Sequence, residues 1–310
     1  MSKLNLLLNM LSYKRPSQEK YITGKFIERF LSPLDIKFDG YGNVYKKIGD
    51  NNVLYSSHID TVSETAGFQK TQVIGDYIHL ATKYKKQSGN VLGGDCTTGV
   101  FIMSEMIKAG IEGLYIFHLD EEIGGAGSQY ILDNERELLT GIDIAIAFDR
   151  KGNDEIITHQ FGRTSSDDFA DSLADQLIGY KPSPFGTFTD TQIYSEIIPE
   201  CTNLSTGYEN AHTSKETQSI STCFNLLDMM LTLDIDKLAI NRNPLKIDYP
   251  SKYWDTSIMS DREYDSLTGM IADNPETASR LLSDFGIGLD EFREEVFEDT
   301  GILESNYKFI

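Results

Sequence analysis

The chain has 310 residues, of which 40% are hydrophobic and 11% are aromatic, enough to build a sizeable apolar core. Its formal net charge of −20 argues against nucleic acid or an anionic membrane as a main partner, because both are themselves negative. The three cysteines, Cys96, Cys201 and Cys223, show no paired spacing, which favours a reduced, cytoplasmic setting over a disulfide framework.

Predicted helices and strands alternate along the chain. An amphipathic helix opens it, a second helix capped by Ser17 is expected to run to about Leu31, and a hairpin follows over 37–47. Strands are then expected at 53–57, 73–81, 114–118, 142–148, near 156 and at 203–206. Helices are expected at 100–109, 127–139, 166–177, 189–198 and 215–233, with a glycine-rich loop at 90–99.

Several of these strands are apolar throughout, which is typical of parallel strands covered on both faces. We therefore predict an α/β fold, a three-layer sandwich around a central mixed, mostly parallel sheet. The composition changes near residues 241–249 and is acidic beyond them. We predict a main domain over residues 1–245, followed by an acidic helical C-terminal appendage over residues 246–310.

Chemically capable side chains follow directly after predicted strands. They are His58, Glu121, Glu122 and Asp149, with Asp60 two residues beyond His58. Because sites in α/β sheets lie beyond the carboxyl ends of the strands, we expect these side chains to converge. Adjacent carboxylates at a strand end can divide the work of metal-assisted hydrolysis, since one binds the cation and the other takes a proton from water. An isolated glutamate pair is more often a solvated loop, so the prediction depends on the whole set.

Two loops offer further candidates. Asp95 follows Gly93-Gly94, where the backbone can turn tightly, and His212 lies between a predicted strand and a predicted helix. Of the other histidines, His118 is expected to be a core residue or to support the site from behind. His79 is expected to be structural.

In chain order, these residues form the pattern His-x-Asp, Gly-Asp, Glu-Glu-x-Gly, a strand-terminal Asp and a loop His. The pattern resembles the co-catalytic zinc exopeptidase superfamily, which includes bacterial leucyl-type aminopeptidases, glutamate carboxypeptidases and aminoacylases. The resemblance covers roughly residues 15–240. Five residues match its metal-ligand positions: His58, Asp95, Glu122, Asp149 and His212.

The resemblance implies how these ligands divide. His58 and Asp149 would bind one metal ion, Glu122 and His212 would bind the other, and Asp95 would bridge them. The ions would be two Zn²⁺, with Co²⁺ or Mn²⁺ as substitutes, about 3.5–4 Å apart.

Two catalytic roles are also implied. Asp60 would orient His58. Glu121 would be the general base that accepts the proton of the attacking water and later delivers it to the leaving amine.

The chain departs from the family in two places. Cys96 stands where the family usually has a second aspartate, and in related enzymes the peptide bond before this position is cis. Cys96 would be a buried structural residue or an additional thiolate ligand. Only the 62 residues 150–211 separate Asp149 from His212, too few for the inserted lid or dimerisation domain of the carboxypeptidase and aminoacylase members.

The resemblance implies a two-zinc hydrolase of peptide or amide bonds, in the first place an aminopeptidase. A carboxypeptidase or an N-acyl-amino-acid deacylase could use the same site. From other classes, a non-catalytic metal-binding interaction module and a two-metal phosphoesterase remain open. The expected partner is a peptide or acylated amino acid, and the expected state is a monomer or small homo-oligomer. Tyr208, Arg163 and Asp190 are candidates for substrate contacts, although residues of this kind are more often structural.

Overall fold

A computed structural model describes residues 2–245 of the chain. Within that range the helices are α1 (Lys3–Met10), α2 (Tyr21–Phe26), α3 (Thr82–Lys85), α4 (Gly94–Ala109), α5 (Ala126–Asn134), α6 (Asp167–Ala174), α7 (Asp190–Tyr194) and α8 (Ile220–Met230). The strands are β1 (Tyr13–Lys14), β2 (Lys37–Phe38), β3 (Val44–Ile48), β4 (Val53–His58), β5 (Gly67–Phe68), β6 (Thr71–Ile74), β7 (Tyr77–Leu80), β8 (Gly113–His118), β9 (Ile144–Arg150), β10 (Glu155–Ile157), β11 (Lys181–Ser183), β12 (Glu200–Ser205), β13 (Tyr208–Glu209) and β14 (Thr217–Ser219). The appendage predicted over residues 246–310 lies outside the described residues.

The predicted central sheet is confirmed. Eight strands pair in the order β11-β10-β12-β9-β4-β8-β3-β2. The four central strands, β12, β9, β4 and β8, run parallel, and antiparallel strands flank them. Every residue of β4, β8 and β12 is buried. Burial on both faces explains the unbroken apolar runs at 53–55 in β4 and 114–117 in β8, whereas β12 is buried with a mostly polar sequence, ECTNLS.

Apolar cores cover both faces of this sheet. On β4, Val53 and Tyr55 pack in one core with α4, whereas Leu54 packs in the other core with α5 and α7. This division follows from the strand geometry, because successive side chains point to opposite faces. The result is the three-layer sandwich that the sequence predicts.

Helix α4 lies very close to the sheet. At Gly99, a Cβ atom would overlap with Ser57 Oγ on β4 and with the backbone carbonyl oxygen of Phe148 on β9. Only glycine permits this approach. The helix is thereby held against the two strands that carry His58 and Asp149.

Some predicted elements are wrong. Residues 73–81 form a hairpin of β6 and β7 that turns at Gly75 (φ +58°), not one strand. Helix α4 begins at Gly94, so Asp95 lies on its first turn, not in the glycine-rich loop. The helix predicted over 215–233 begins only at Ile220, because residues 217–219 pair with β7 in a second, antiparallel sheet of order β13-β14-β7-β6.

The predicted cap at Ser17 is also wrong. Helix α2 begins at Tyr21, and the Glu19 carboxylate accepts hydrogen bonds from the N–H groups of Tyr21, Ile22 and Thr23. The Ser17 hydroxyl instead donates to Asp60 Oδ2 at 2.7 Å. Ser17 therefore bonds to a residue that is distant in the sequence instead of capping the helix that follows it.

Among residues 2–245, no helix has both the length and the apolar character needed to cross a bilayer.

Candidate metal centre

The predicted site residues lie at the carboxyl ends of three neighbouring parallel strands. Strand β4 ends at His58, Asp149 is the penultimate residue of β9, and Glu121 follows three residues after the end of β8. His58 lies beside His118 in the register of β4 and β8. The sheet therefore brings together side chains that are far apart in the sequence.

His58 is almost fully buried, with 1% of its surface exposed. Its Nε2 atom lies 3.7 Å from Asp149 Oδ1. Its Nδ1 atom lies 3.1 Å from the backbone oxygen of Asp60 and 3.6 Å from the Asp60 carboxylate. When Nδ1–H donates to that backbone oxygen, the Nε2 lone pair is left facing Asp149, which is the arrangement expected of a metal-binding histidine.

His212 approaches from the opposite side, on the loop between β13 and β14. Its Nε2 atom lies 3.1 Å from Asp95 Oδ2 and 3.3 Å from Glu122 Oε2. Its side chain is 52% exposed and its backbone is left-handed, with φ +61°. A buried histidine and a half-exposed histidine thus face the same group of carboxylates.

Three groups of possible ligand atoms, each within 4.8 Å of one another, occur in the described part of the chain. They are His58–Asp95–Cys96, His58–Glu121–Glu122 and Asp95–Glu122–His212. Asp95 belongs both to a group with His58 and to the group with His212. Glu122 is shared between a His58 group and the His212 group in the same way, so both carboxylates have the position expected of a group that could bridge two metal ions, whereas Asp149 belongs to none of the three groups.

The residues present fit a divalent cation. Glu122 Oε1 is buried and has no hydrogen-bond partner among the described residues, which is costly for a carboxylate oxygen. A cation would give that oxygen a partner and would offset the repulsion among the carboxylates. Imidazole nitrogens and carboxylate oxygens together suit Zn²⁺, and they also accept Co²⁺ or Mn²⁺.

The charges of the cluster shift its pKa values. Burial raises the pKa of Glu121 well above its usual range, and the charges of Asp149, Asp190 and Glu122 raise it further, against the opposing effect of His58. Hydrogen bonds to Asp95 and Glu122 raise the pKa of His212 to about 11. The His212 shift reflects the carboxylates beside it, whereas burial is the main cause of the Glu121 shift.

Asp60 contacts His58 and also holds the turn that carries Glu121 and Glu122. Its Oδ1 atom accepts a hydrogen bond from the Glu121 N–H at 3.1 Å, and Oδ2 accepts from the Glu122 N–H at 3.2 Å. Oδ2 also accepts the Ser17 hydroxyl. One carboxylate therefore links the end of β4 to the turn that carries both glutamates.

Replacing Asp60 with alanine should lower both the free energy of unfolding and the metal affinity. The buried N–H groups of Glu121 and Glu122 would lose their acceptor, at about 1–3 kcal/mol each, and a lost support of this kind typically weakens metal binding by about 10–100-fold. Chemical denaturation and a chelator competition would measure the two effects. Ser17→Ala is the control, because it removes one of the carboxylate's hydrogen bonds and should cost only about 1 kcal/mol. Equal effects of the two substitutions would contradict the role given to Asp60.

The glutamate pair lies on a short 3₁₀ turn, Glu121–Ile123, and not on the extended strand end that the sequence suggests. Asp120 precedes it with a left-handed backbone (φ +62°). The Asp120 carboxylate accepts hydrogen bonds from the Gln18 N–H at 2.6 Å and the Tyr41 hydroxyl at 2.7 Å. These contacts hold a strained residue in place, so the direction of the following glutamates is fixed.

Other supporting residues are not evident in the sequence. The Thr189 hydroxyl donates to Asp149 Oδ2 at 2.8 Å, and the Asn203 side-chain oxygen accepts from the Asp149 N–H at 2.9 Å. The Tyr208 hydroxyl donates to the Asp149 backbone oxygen at 3.1 Å. Tyr208 is buried and supports the end of β9, which agrees with the structural role that the sequence favours for it over a place in a substrate pocket.

Arg15 lies fully buried beneath the cluster. Its guanidinium donates to the Ile59 backbone oxygen at 2.6 Å and to Thr97 Oγ1 at 2.8 Å, and Nη2 lies 3.4 Å from Cys96 Sγ. It therefore joins the end of β4 to the first turn of α4. Cys96 is a buried thiol on that turn, and the peptide bond between Asp95 and Cys96 is trans, not the cis bond that the resemblance implies.

The other candidate substrate contacts do not line an open pocket. Asp190 is 1% exposed, and its carboxylate accepts the Ser128 hydroxyl at 2.6 Å and lies 3.3 Å from His118 Nδ1. Burial raises the pKa of Asp190 to about 7. His118 also contacts the Tyr194 hydroxyl through Nε2 at 2.7 Å, so it belongs to a buried network behind the site. Arg163 pairs with Asp167, and His159 forms a short β-bridge with Arg163.

No family model and no curated protein matches this sequence. Solved structures do share its fold. A tripeptidase from Staphylococcus aureus subsp. aureus mu50 matches with a TM-score of 0.61 at 15% identity, over 74% of this chain and 96% of that one. The aminopeptidase PepT from Bacillus cereus ATCC 10987 matches with a TM-score of 0.59 at 15% identity, over the same shares of the two chains.

A third match is the Pyrococcus horikoshii TET1 peptidase, which can assemble into a tetrahedron or a large octahedral shell. Its TM-score is 0.54 at 15% identity, over 74% of this chain and 98% of that one. The chain has the α/β fold of these peptidases. The match covers 96–98% of each of these neighbouring chains and 74% of this one.

Proposed function

We propose that this chain is a two-metal hydrolase of peptide bonds that acts as an aminopeptidase. The observation that carries the proposal is the convergence of two imidazoles and five carboxylates at one sheet edge. They are His58, Asp60, Asp95, Glu121, Glu122, Asp149 and His212. The fold shared with an aminopeptidase and a tripeptidase supports the same reading.

His58 and Asp149 would hold one ion, Glu122 and His212 would hold the other, and Asp95 would contact both. The ions, when bound, supply Lewis acidity that polarises the scissile carbonyl and lowers the pKa of water. We propose Zn²⁺ as the natural ion because imidazole and carboxylate ligands suit it, with Co²⁺ or Mn²⁺ as possible replacements.

Glu121 would perform the proton transfers. Its carboxylate is buried beside the ligand group, and its raised pKa makes it a stronger proton acceptor than a solvated glutamate. We propose that it takes a proton from the attacking water and passes it to the leaving amine. Asp60 would keep Glu121 in position through the hydrogen bond from the Glu121 N–H.

The charge around the site favours an amino-terminal substrate end. The charge of Asp190 raises the pKa of Glu121, and the charge of Asp149 raises the pKa of both carboxyl groups. A positively charged α-amine relieves this repulsion, whereas a terminal carboxylate increases it. On this ground, we rank the aminopeptidase above a carboxypeptidase and above an N-acyl-amino-acid deacylase.

A panel of blocked peptides, run alongside metal analysis, tests the proposal. We expect about two zinc ions per chain, hydrolysis of free and carboxyl-amidated peptides, no hydrolysis of amino-acetylated peptides, and loss of activity after chelation. Cleavage of the acetylated peptides would favour the carboxypeptidase or deacylase. Bound metal without any turnover would favour a binding module, and a chain that binds no metal would refute the proposal.

We further propose a cytoplasmic monomer or small homo-oligomer. The three cysteines are free and buried in the structure, which suits a reducing compartment. The Pyrococcus neighbour forms large shells, so the molar mass in solution has to be measured. Light scattering coupled to size-exclusion chromatography would distinguish a 34.9 kDa chain or its dimer from such a shell.

A further inference from the structure

Glu216 is a fully buried carboxylate, with 0% of its surface exposed. Its Oε2 atom accepts hydrogen bonds from the backbone N–H groups of Leu92 at 2.8 Å and Gly93 at 3.0 Å. Its Oε1 atom accepts from the N–H of Gly94 at 2.6 Å. All three donors belong to the segment that leads directly into Asp95.

This segment has no cap of its own. Helix α4 starts after Gly93, which has a left-handed backbone (φ +71°) and no side chain to accept a hydrogen bond. The first N–H groups of a helix lack partners within the helix, and a side chain usually satisfies them. Here Glu216 supplies the acceptor from 122–124 residues further along the chain. It therefore determines where the first turn of α4, and with it Asp95, begins.

Glu216 also terminates the loop that carries His212. The Glu216 N–H donates to the Thr213 backbone oxygen at 3.1 Å, so only one tight turn separates Glu216 from His212. Two residues further on, in β14, Gln218 Oε1 accepts a hydrogen bond from the Thr98 hydroxyl of α4 at 2.6 Å. This is a second hydrogen-bonded link between this part of the chain and α4. The half-exposed His212 loop is thus attached to the helix of Asp95 through this buried carboxylate.

We propose that Glu216 is a positioning residue that holds Asp95 and His212 within reach of each other. It thereby sets the affinity of the metal position that these two share with Glu122. This inference rests on the proposed two-metal function. It concerns mainly the position of Glu122 and His212, because the other position shares only Asp95 with it. In the described structure, Glu216 makes no hydrogen bond to β4 or β9, which carry His58 and Asp149.

Glutamine is the informative substitution at Glu216. A carboxylate offers acceptors on both sides, whereas a glutamine amide has one oxygen and one NH₂ group. In either orientation the NH₂ group would face a backbone N–H: that of Gly94, or those of Leu92 and Gly93. Glu216→Gln therefore keeps the shape of the side chain but removes at least one of its hydrogen bonds to the backbone of residues 92–94.

Glu200 provides a matched control. It is also 0% exposed, and its carboxylate accepts hydrogen bonds from the N–H and hydroxyl of Ser166 and from the N–H groups of Asn241 and Arg242. It begins β12, opposite Ile144 at the start of β9, so it lies at the amino end of the sheet, away from the site. Glu200→Gln disturbs a buried carboxylate of the same kind without touching the ligand segments.

The experiment titrates Zn²⁺ into apo wild type, E216Q and E200Q against a chromophoric chelator, and records the visible spectrum of the Co²⁺ forms. We expect E216Q to bind one equivalent of metal about 10–100-fold more weakly, to weaken the other equivalent less because only Asp95 is shared, and to alter the Co²⁺ spectrum. E200Q should lower the melting temperature of the apoprotein while keeping both affinities.

Three results would contradict the inference. If E216Q binds both equivalents as wild type does, Glu216 has no positioning role and the two-metal function stands. If E216Q and E200Q weaken binding equally, the effect is one of general stability. If wild type binds no metal, the proposed function itself fails, and the inference fails with it.

Discussion

Replacing Glu121 with glutamine should lower kcat by about 10²–10⁴-fold and leave the metal content unchanged, because the side chain keeps its shape but loses its basic oxygen. The backbone N–H of residue 121 would still donate to Asp60, so the turn should remain in place. Steady-state kinetics on a cleaved peptide, with metal analysis of the same sample, would measure both effects.

The control for this prediction is the substitution Glu122→Gln at the neighbouring residue. Glu122 Oε2 lies 3.3 Å from His212 Nε2, so Glu122→Gln should weaken one metal equivalent as well as lower activity. The comparison is necessary because Glu121 itself lies within 4.8 Å of His58 and Glu122 in a possible ligand group. Loss of metal from E121Q would assign Glu121 as a ligand, and full activity would remove it from the mechanism altogether.

Replacing Gly99 with alanine should destabilise the protein and weaken its metal binding together. The added methyl group would overlap with Ser57 Oγ and with the backbone of Phe148, so α4 would have to move away from β4 and β9. Overpacking of this kind costs about 1–3 kcal/mol, which exceeds the gain of up to about 1 kcal/mol from replacing a helical glycine. The movement would also carry Asp95, on the first turn of α4, away from His58 and Asp149. Denaturant unfolding and metal affinity would report the two consequences.

A second helical glycine offers the comparison for Gly99. Gly24 lies in α2, and a Cβ atom there would meet nothing within 4 Å. Gly24→Ala should therefore stabilise the protein by about 0.5–1 kcal/mol and leave metal binding unchanged. A stabilised G99A variant with normal metal affinity would show that the close approach of α4 does not position the site.

The strands and the site residues that follow them could be predicted because both depend on local sequence. An unbroken apolar run indicates a strand covered on both faces, and a polar residue at its end then falls at the sheet edge. His58, Glu121 and Asp149 are of this kind. Predicting that these residues lie near one another does not require the order of the strands, because the carboxyl ends of parallel strands lie at the same side of the sheet.

The supporting residues could not be predicted, because their partners are distant in the chain. Ser17 stands before a helical pattern and resembles a cap, yet its hydroxyl bonds to Asp60, 43 residues away. Glu216 falls in a stretch that suggests the start of a helix, yet its carboxylate binds a loop more than 120 residues earlier. Arg15 likewise gives no local sign that it is buried against Thr97. Side chains of these types are usually exposed, and only the folded chain shows the exceptions.

The two histidines of the centre belong to regions that open on different timescales. His58 ends a buried strand at the middle of the eight-stranded sheet, where we expect amide hydrogens to exchange only through unfolding of the whole domain. His212 lies on an exposed loop with left-handed residues at 210 and 212, and such loops open locally at little free-energy cost. Under the proposed ligand assignment, the ion at His212 escapes through a local fluctuation, whereas the ion at His58 stays trapped. Demetallation is then stepwise, and a half-loaded chain is its natural intermediate.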